Sequence, residues 1–228
     1  WAVAINALVL YLTIGWRSLN THAIRVREQL TANDMPAARL AAAMMVSRDT
    51  ADLDSEGIAA ATVESVLENG NDAIFGAIFW FLLAGLPGVV LYRLSNTLDA
   101  MWGYKNTHYL RFGRVSARLD DALNFVPARL TALSYALLGR TRTAVRCWQQ
   151  QGSTWKSPNA GPVMAAGAGS LGLELGGTAV YHGLAQQRPI LGAGRRAGTE
   201  DIDAACRLIR NCVLLWVVTL FAGAWFVD

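Results

Sequence analysis

The chain has 228 residues, of which 53% are hydrophobic and only 16% charged, whereas soluble domains carry about a quarter charged residues. A mean hydropathy of +0.27 and eight tryptophans, which favour membrane interfaces, exclude an ordinary soluble domain. The net charge of +3 without a dense basic run excludes a nucleic-acid partner on electrostatic grounds. The expected fold is all-α: one polytopic integral membrane domain over residues 1–228, with amphipathic or re-entrant helices and polar loops that form a cytoplasm-facing site.

The first apolar run, 1–16, opens the chain without Met and without the basic start or cleavage site of a signal peptide. An upstream segment is therefore expected to be missing from the sequence. Over 17–71, apolar residues recur three and four apart, as at Ala41, Met44 and Met45, which predicts helix. Asn33-Asp34-Met35-Pro36 predicts a break and a restart, with Pro36 near a first turn. Residues 73–92 form the strongest apolar run, about 20 residues, enough for a hydrocarbon core of roughly 30 Å. Gly85-Leu86-Pro87-Gly88 predicts a break inside it. Residues 93–121 are polar, and 122–139 are apolar except for Arg129, with Pro127 among them. A guanidinium at mid-bilayer costs at least ~2.5–3.5 kcal/mol, so that stretch faces a protein-lined cavity or lies at the interface. Residues 157–173 lack charge but are rich in Gly, 188–210 mix basic and acidic groups, and 211–227 are apolar again. β-structure has almost no support. Every polar segment carries Lys or Arg, so the charge rule assigns no topology; one or two runs that dip in and return would reconcile it.

The three cysteines, Cys147, Cys206 and Cys212, match no metal or redox spacing and read as unpaired thiols in a reducing compartment. Five polar constellations remain. Arg48-Asp49-Thr50 precedes Glu64 and Glu68, which are four apart and so share a helix face; they form a solvated acidic stripe or hold a cation such as Mg²⁺ with substrate phosphate. Asn96, Asp99, Lys105 and Asn106 leave the strongest apolar run, as a juxtamembrane loop or as an anion-holding group. Arg118, Asp120, Asp121 and Asn124 open the helix that contains Arg129, as a salt-bridge lock or as a site. Ser157-Pro158-Asn159-Ala160-Gly161-Pro162 is a polar turn into a helix start, where N–H groups can receive an anion, although the Walker A pattern is absent. Arg195-Arg196 follows a Gly-rich turn, facing phosphate or lipid headgroups, and Thr199 is a fair N-cap with acids after it.

Taken in order, these segments resemble the CobD/CbiB family of cobalamin biosynthesis. The resemblance rests on Asn96-Thr97-Leu98-Asp99-Ala100-Met101 with Gly103-Tyr104-Lys105-Asn106, on Ala117 to Asp121 with Asn124 and Pro127 to Ala132, and on Ser157 to Pro162 with Met164-Ala165-Ala166. Arg48, Glu64, Glu68, Asp72, Arg188-Pro189 and Gly194-Arg195 fit as well, and the similarity runs from about residue 44 onward. It implies an adenosylcobinamide-phosphate synthase of the bacterial inner membrane, with its active face cytoplasmic. Such an enzyme joins adenosylcobyric acid to (R)-1-aminopropan-2-ol or its O-phosphate, using ATP and Mg²⁺, with the corrinoid as substrate. On the matching motifs, Asp120, Asp121, Lys105 and Glu64 are the expected catalytic groups. Arg48, Asn96, Asp99, Arg118, Asn124, Arg129, Ser157, Asn159 and Arg195 are expected to bind substrate and phosphate, and Glu64, Glu68 and Asp121 the metal. Trp102, Tyr104 and Trp155 would supply apolar walls. Expected partners are membrane lipid and either other cobalamin-pathway enzymes or a second copy of the chain. The competing reading is a non-catalytic polytopic membrane protein: a transporter, an AmpE-like sensor, or a scaffold for corrin enzymes.

Overall fold

The computed structural model describes residues 1–102 and 110–225. Helices dominate, as the periodicity predicts. α1 (Ala2–Thr13) buries none of its residues. α2 (Trp16–Thr31) buries the stripe Ala23, Val26 and Leu30, one face of a 3.6-residue period. The predicted break at Asn33-Asp34 is real: the Asp34 carboxylate accepts the Ala37 N–H at 3.0 Å and opens α3 (Met35–Ala43), with Pro36 in its first turn. Asp54 caps α4 (Ser55–Gly70) in the same way, accepting from Gly57 N at 2.7 Å.

α4 is the axis of the molecule. Ile58, Ala59, Val63, Val66 and Leu67 are fully buried and join Ala23, Val26, Ala38, Tyr135, Val163 and Ile209 in one core. A π-helical turn, Asn71–Phe75, continues α4 into α5 (Gly76–Trp102). α6 (Leu110–Leu138) follows, then α7 (Thr141–Gln151) and α8 (Ala160–Leu171). α8 is buried from Ala160 through Ser170. Its Gly and Ala side chains let neighbouring helices approach closely, and the Ser170 hydroxyl donates to Tyr135 O at 2.6 Å in α6. The charge-free 157–173 run is therefore an interior helix. Its 12 residues extend about 18 Å, short of a bilayer core.

Five short strands correct the expectation of no β-structure. β1 (Leu173–Gly176) pairs antiparallel with β4 (Ile190–Gly192) and parallel with β5 (Arg195–Arg196). β2 (Ala179–Tyr181) and β3 (Leu184–Gln186) form a hairpin between them. α9 (Thr199–Trp225) closes the described chain, buried as far as Cys212 and exposed beyond it along Leu214, Val217, Val218 and Phe221. The three cysteines are free and buried.

Among the described residues three helical stretches, Ala2–Thr31, Ser55–Met101 and Thr199–Trp225, are long and apolar enough to cross a membrane. The middle one is not straight. Gly85 has φ 61° and ψ −148°, a region that glycine alone enters without strain, and Pro87 follows it. The bend predicted at Gly85-Leu86-Pro87-Gly88 is thus present. Beyond it the helix returns along itself: Tyr92 OH donates to Asp72 O at 2.9 Å.

Candidate functional site

The folded-back helix matters because it brings acids from distant segments to one place. Glu68 at the end of α4, Asp72 in the π-turn, Asp99 in the returning arm of α5, and Asp120 and Asp121 in α6 line a cavity of about 530 Å³. Asn124, Lys156, Ser157 and Asn159 complete its wall. The extra residue of a π-turn shifts the following side chains round the helix axis, and here a polar network holds that shift. The Asn71 amide donates to Asp72 Oδ1 and to Asn124 Oδ1, both at 2.9 Å, and its own oxygen accepts the Thr131 hydroxyl at 2.9 Å. Tyr92 OH reaches Asn124 Oδ1 at 2.9 Å as well.

Each α6 carboxylate has its own holder. Asp120 accepts from Asn96 Nδ2 at 3.3 Å and Asn124 Nδ2 at 3.1 Å. Asp121 Oδ1 accepts from Ser157 Oγ at 3.5 Å and Asn159 Nδ2 at 3.4 Å, and that same amide donates to Asp121 O at 2.8 Å. Burial raises the Asp120 carboxyl above its ordinary value, against the lowering pull of the Asn96 and Asn124 amides. Burial raises Asp121 too, against the Ser157 hydroxyl. Both therefore keep a proton to higher pH than a free aspartate does.

Arg129 serves this wall rather than facing lipid. Its guanidinium lies 3.7 Å from the Phe125 ring centroid and donates to Asn159 Oδ1 at 2.6 Å and Pro158 O at 3.0 Å. Ser157 Oγ accepts from the N–H groups of Asn159 and Ala160, both at 3.2 Å, which fixes the turn into α8.

A second cavity, about 210 Å³, shares Glu68 with the first and is lined by Ser47, Arg48, Glu64, Asn69, Trp155, Tyr181 and Arg188. At its edge Glu64 is clamped by two guanidinium groups. Arg48 Nη2 donates to Glu64 Oε2, and Arg188 reaches Oε2 at 2.9 Å and Oε1 at 3.3 Å. Gly176 N donates to Oε1 at 2.8 Å. A carboxylate has about four acceptor sites, so these four bonds fill Glu64. The i, i+4 spacing left a solvated acidic stripe or a cation shared by Glu64 and Glu68; the fold gives Glu64 to the arginines and leaves Glu68 at the junction of the cavities. Arg188 donates also to Gly177 O at 3.1 Å and Gly176 O at 3.2 Å, so four of its five N–H groups are engaged. Arg48 has Glu64 as its partner, and the rest of its fork borders the cavity.

Glu64, Glu68 and Asp121, the expected metal set, do not converge: among the described residues no three His, Cys, Asp or Glu groups are placed to hold a metal ion. The acid cavity still fits a hard cation that takes one or two carboxylates and completes its shell with phosphate and water, as Mg²⁺ does. Arg195 lies apart, paired through both terminal nitrogens with Asp201 at 2.6 and 2.9 Å. Arg118 is exposed on α6. Lys105 and Tyr104 fall outside the described residues, as does the side chain of Trp102.

Sequence reading did not place Lys156, Arg188, Tyr92, Asn71 or Thr131 in the site, and it left Asp72 without a role. For Asp72 a signal existed, because it repeats the four-residue spacing of Glu64 and Glu68.

A family described as CobD/Cbib protein matches residues 1–209, so the likeness reaches well upstream of residue 44. The cobalamin biosynthesis protein CobD of Stutzerimonas stutzeri (strain A1501) is 58% identical over 218 residues, 96% of this chain and 72% of that protein. Its counterpart in Chromobacterium violaceum is 56% identical over 222 residues, 97% of this chain and 71% of the relative. That of Mycobacterium tuberculosis (strain H37Rv) is 40% identical over 215 residues, 92% and 69% respectively. No solved structure matches the chain.

Proposed function

Since the chain belongs to the CobD/CbiB family of cobalamin biosynthesis, we propose that it ligates the carboxyl of adenosylcobyric acid to the amine of (R)-1-aminopropan-2-ol or its O-phosphate, at the expense of ATP. Amide formation from a carboxylate and an amine releases the elements of water, and cleavage of a phosphoanhydride takes them up. Mg²⁺, held by one or two of Glu68, Asp72 and Asp120 together with phosphate oxygens, would offset phosphate charge.

The observation that carries this reading is the acid cavity, in which five carboxylates from three helices face Lys156, Ser157 and Asn159. An amine substrate enters as an ammonium ion, and carboxylates attract it. To attack, it must lose a proton, and Asp121 is the group we assign to take it: partly buried, raised by that burial, and positioned by Ser157 and Asn159. Asp120, held by two amides, binds the ammonium or metal charge. Arg48 and Lys156 hold phosphate from two sides of the junction at Glu68. Arg129 and Glu64 act by position: Arg129 aims Asn159, and Glu64 ties the segment at Arg48 to the one at Arg188. The active face then lies on the inner side of the bacterial inner membrane, where ATP is present.

The test is direct. Purified full chain in lipid nanodiscs is incubated with Mg-ATP, adenosylcobyric acid and either amine, and products are read by mass spectrometry. An amide adduct that depends on ATP supports the reading. No adduct with either amine would overturn it in favour of a non-catalytic membrane protein.

A further inference from the structure

We propose that Ala73–Tyr92 is a re-entrant element: it enters the acyl region of one leaflet and leaves on the side from which it came. A straight helix of about 20 residues would carry its far end about 30 Å from its start. Here Arg93 Nη1 lies 3.4 Å from Asp72 O, and Tyr92 OH 2.9 Å from it. The arms on either side of Gly85 run antiparallel and in tight register. A Cβ at Gly76 would overlap the Tyr92 ring and hydroxyl, and one at Gly88 would meet Trp80 O at 2.5 Å and the Ala84 side chain at 2.6 Å. From Gly76 to Ala84 the first arm descends about 13 Å at ~1.5 Å per residue, less than half of a roughly 30 Å core.

The surface of this hairpin suits acyl chains. No charged residue occurs between Asp72 and Arg93. Near the tip Leu82 is 50% exposed and Leu83 65%, and on the returning arm Leu91 is 52% exposed, so these apolar side chains are uncovered by the rest of the described chain. Its base is closed: Ala77, Val89 and Tyr92 are fully buried against Val9 of α1, Trp80, Phe81 and Leu123 of α6. The helical arms satisfy their own backbone groups, and at the break Gly85 and Leu86 are half-buried and Gly88 and Val89 buried, the cover that irregular backbone at membrane depth needs. Exposed Leu8 and Leu12 of α1 continue the apolar surface beside it, while Arg93 marks the polar rim. The occupant of this face is therefore lipid, and the segments before residue 73 and after residue 92 share one aqueous compartment.

The experiment uses full-length protein in right-side-out and inverted membrane vesicles, with the native cysteines replaced. Asp52→Cys and Thr97→Cys, both exposed and flanking the run, are exposed in turn to a membrane-impermeant maleimide. Both should label in the same vesicle orientation and be protected in the other. A fluorophore at Leu83→Cys should be quenched most by lipids brominated within one leaflet's chain region, at mid-leaflet depth. Labelling of the two sites from opposite sides would overturn the proposal. So would quenching that peaks at the bilayer centre, or a Leu83→Cys label silent to every lipid but cross-linked to a second copy.

Discussion

At the scale of residues, the carboxylates of α6 place function and stability in opposition. Burial raises Asp120 in the folded state, so the folded chain binds its proton more tightly than the unfolded chain does. The resulting stability is full below the ordinary aspartate value of about 4 and is lost as pH rises through the raised folded value. Asp120→Asn should therefore gain melting temperature relative to the parent as pH climbs through that window, while ligation falls by about 10²–10³-fold, as for loss of one positioned charge-stabilising group; thermal unfolding across pH and turnover assays check both. Mg²⁺ should raise the parent's melting temperature at neutral pH and raise that of Asp120→Asn less. Glu64 should behave in the opposite way. Removing it by Glu64→Ala strands two nearly buried guanidinium groups, a loss of about 3–5 kcal/mol visible in unfolding, with Glu64→Gln intermediate. Asp120, Asp121 and Asn124 were legible in the sequence because polar groups that open an apolar helix stand out. Glu64 was not legible in its true role, since its partners lie 16 and 124 residues away along the chain and no local spacing signals them.

At the scale of elements, the bend in α5 was legible and its consequence was not. Gly-Leu-Pro-Gly is local punctuation, but the return of Tyr92 to Asp72 depends on side chains that meet only after folding. The π-turn Asn71–Phe75 left no sequence mark either, because its residues continue an ordinary helical pattern. Strands of two to four residues between glycines are too short for a two-residue period to declare itself. Gly85→Ala should cost about 1–3 kcal/mol, since φ 61° with ψ −148° is closed to a residue with a Cβ. Leu83→Ala, two residues away and lipid-facing, should be nearly neutral in the same denaturation assay. Gly76→Val should push Tyr92 aside and lower turnover without removing any group that touches substrate.

At the scale of the whole molecule, the apolar runs 1–16, 73–92 and 211–227 overlap the three described stretches long and apolar enough to cross a membrane, and the run 157–173 does not. The charge-free 157–173 run is as apolar as a lipid-facing helix, yet it fills the centre of the packed body, where Gly and Ala serve close contact instead of greasy exposure. The site lies where that body meets the hairpin, and two amides link α5 to Asp120: Asn96 directly, and Asn124 by way of Tyr92. Asn124 accepts from Tyr92 through its oxygen and donates to Asp120 through its nitrogen. Strain imposed on the hairpin by its surroundings is thus handed on, through Asn124 and Asn96, to a carboxylate of the acid cavity. Turnover in the proposed ligation should accordingly vary with acyl-chain length in vesicles, and Tyr92→Phe, which cuts one of these two links, should weaken the dependence: the protein would be a gauge of the thickness of the leaflet it sits in.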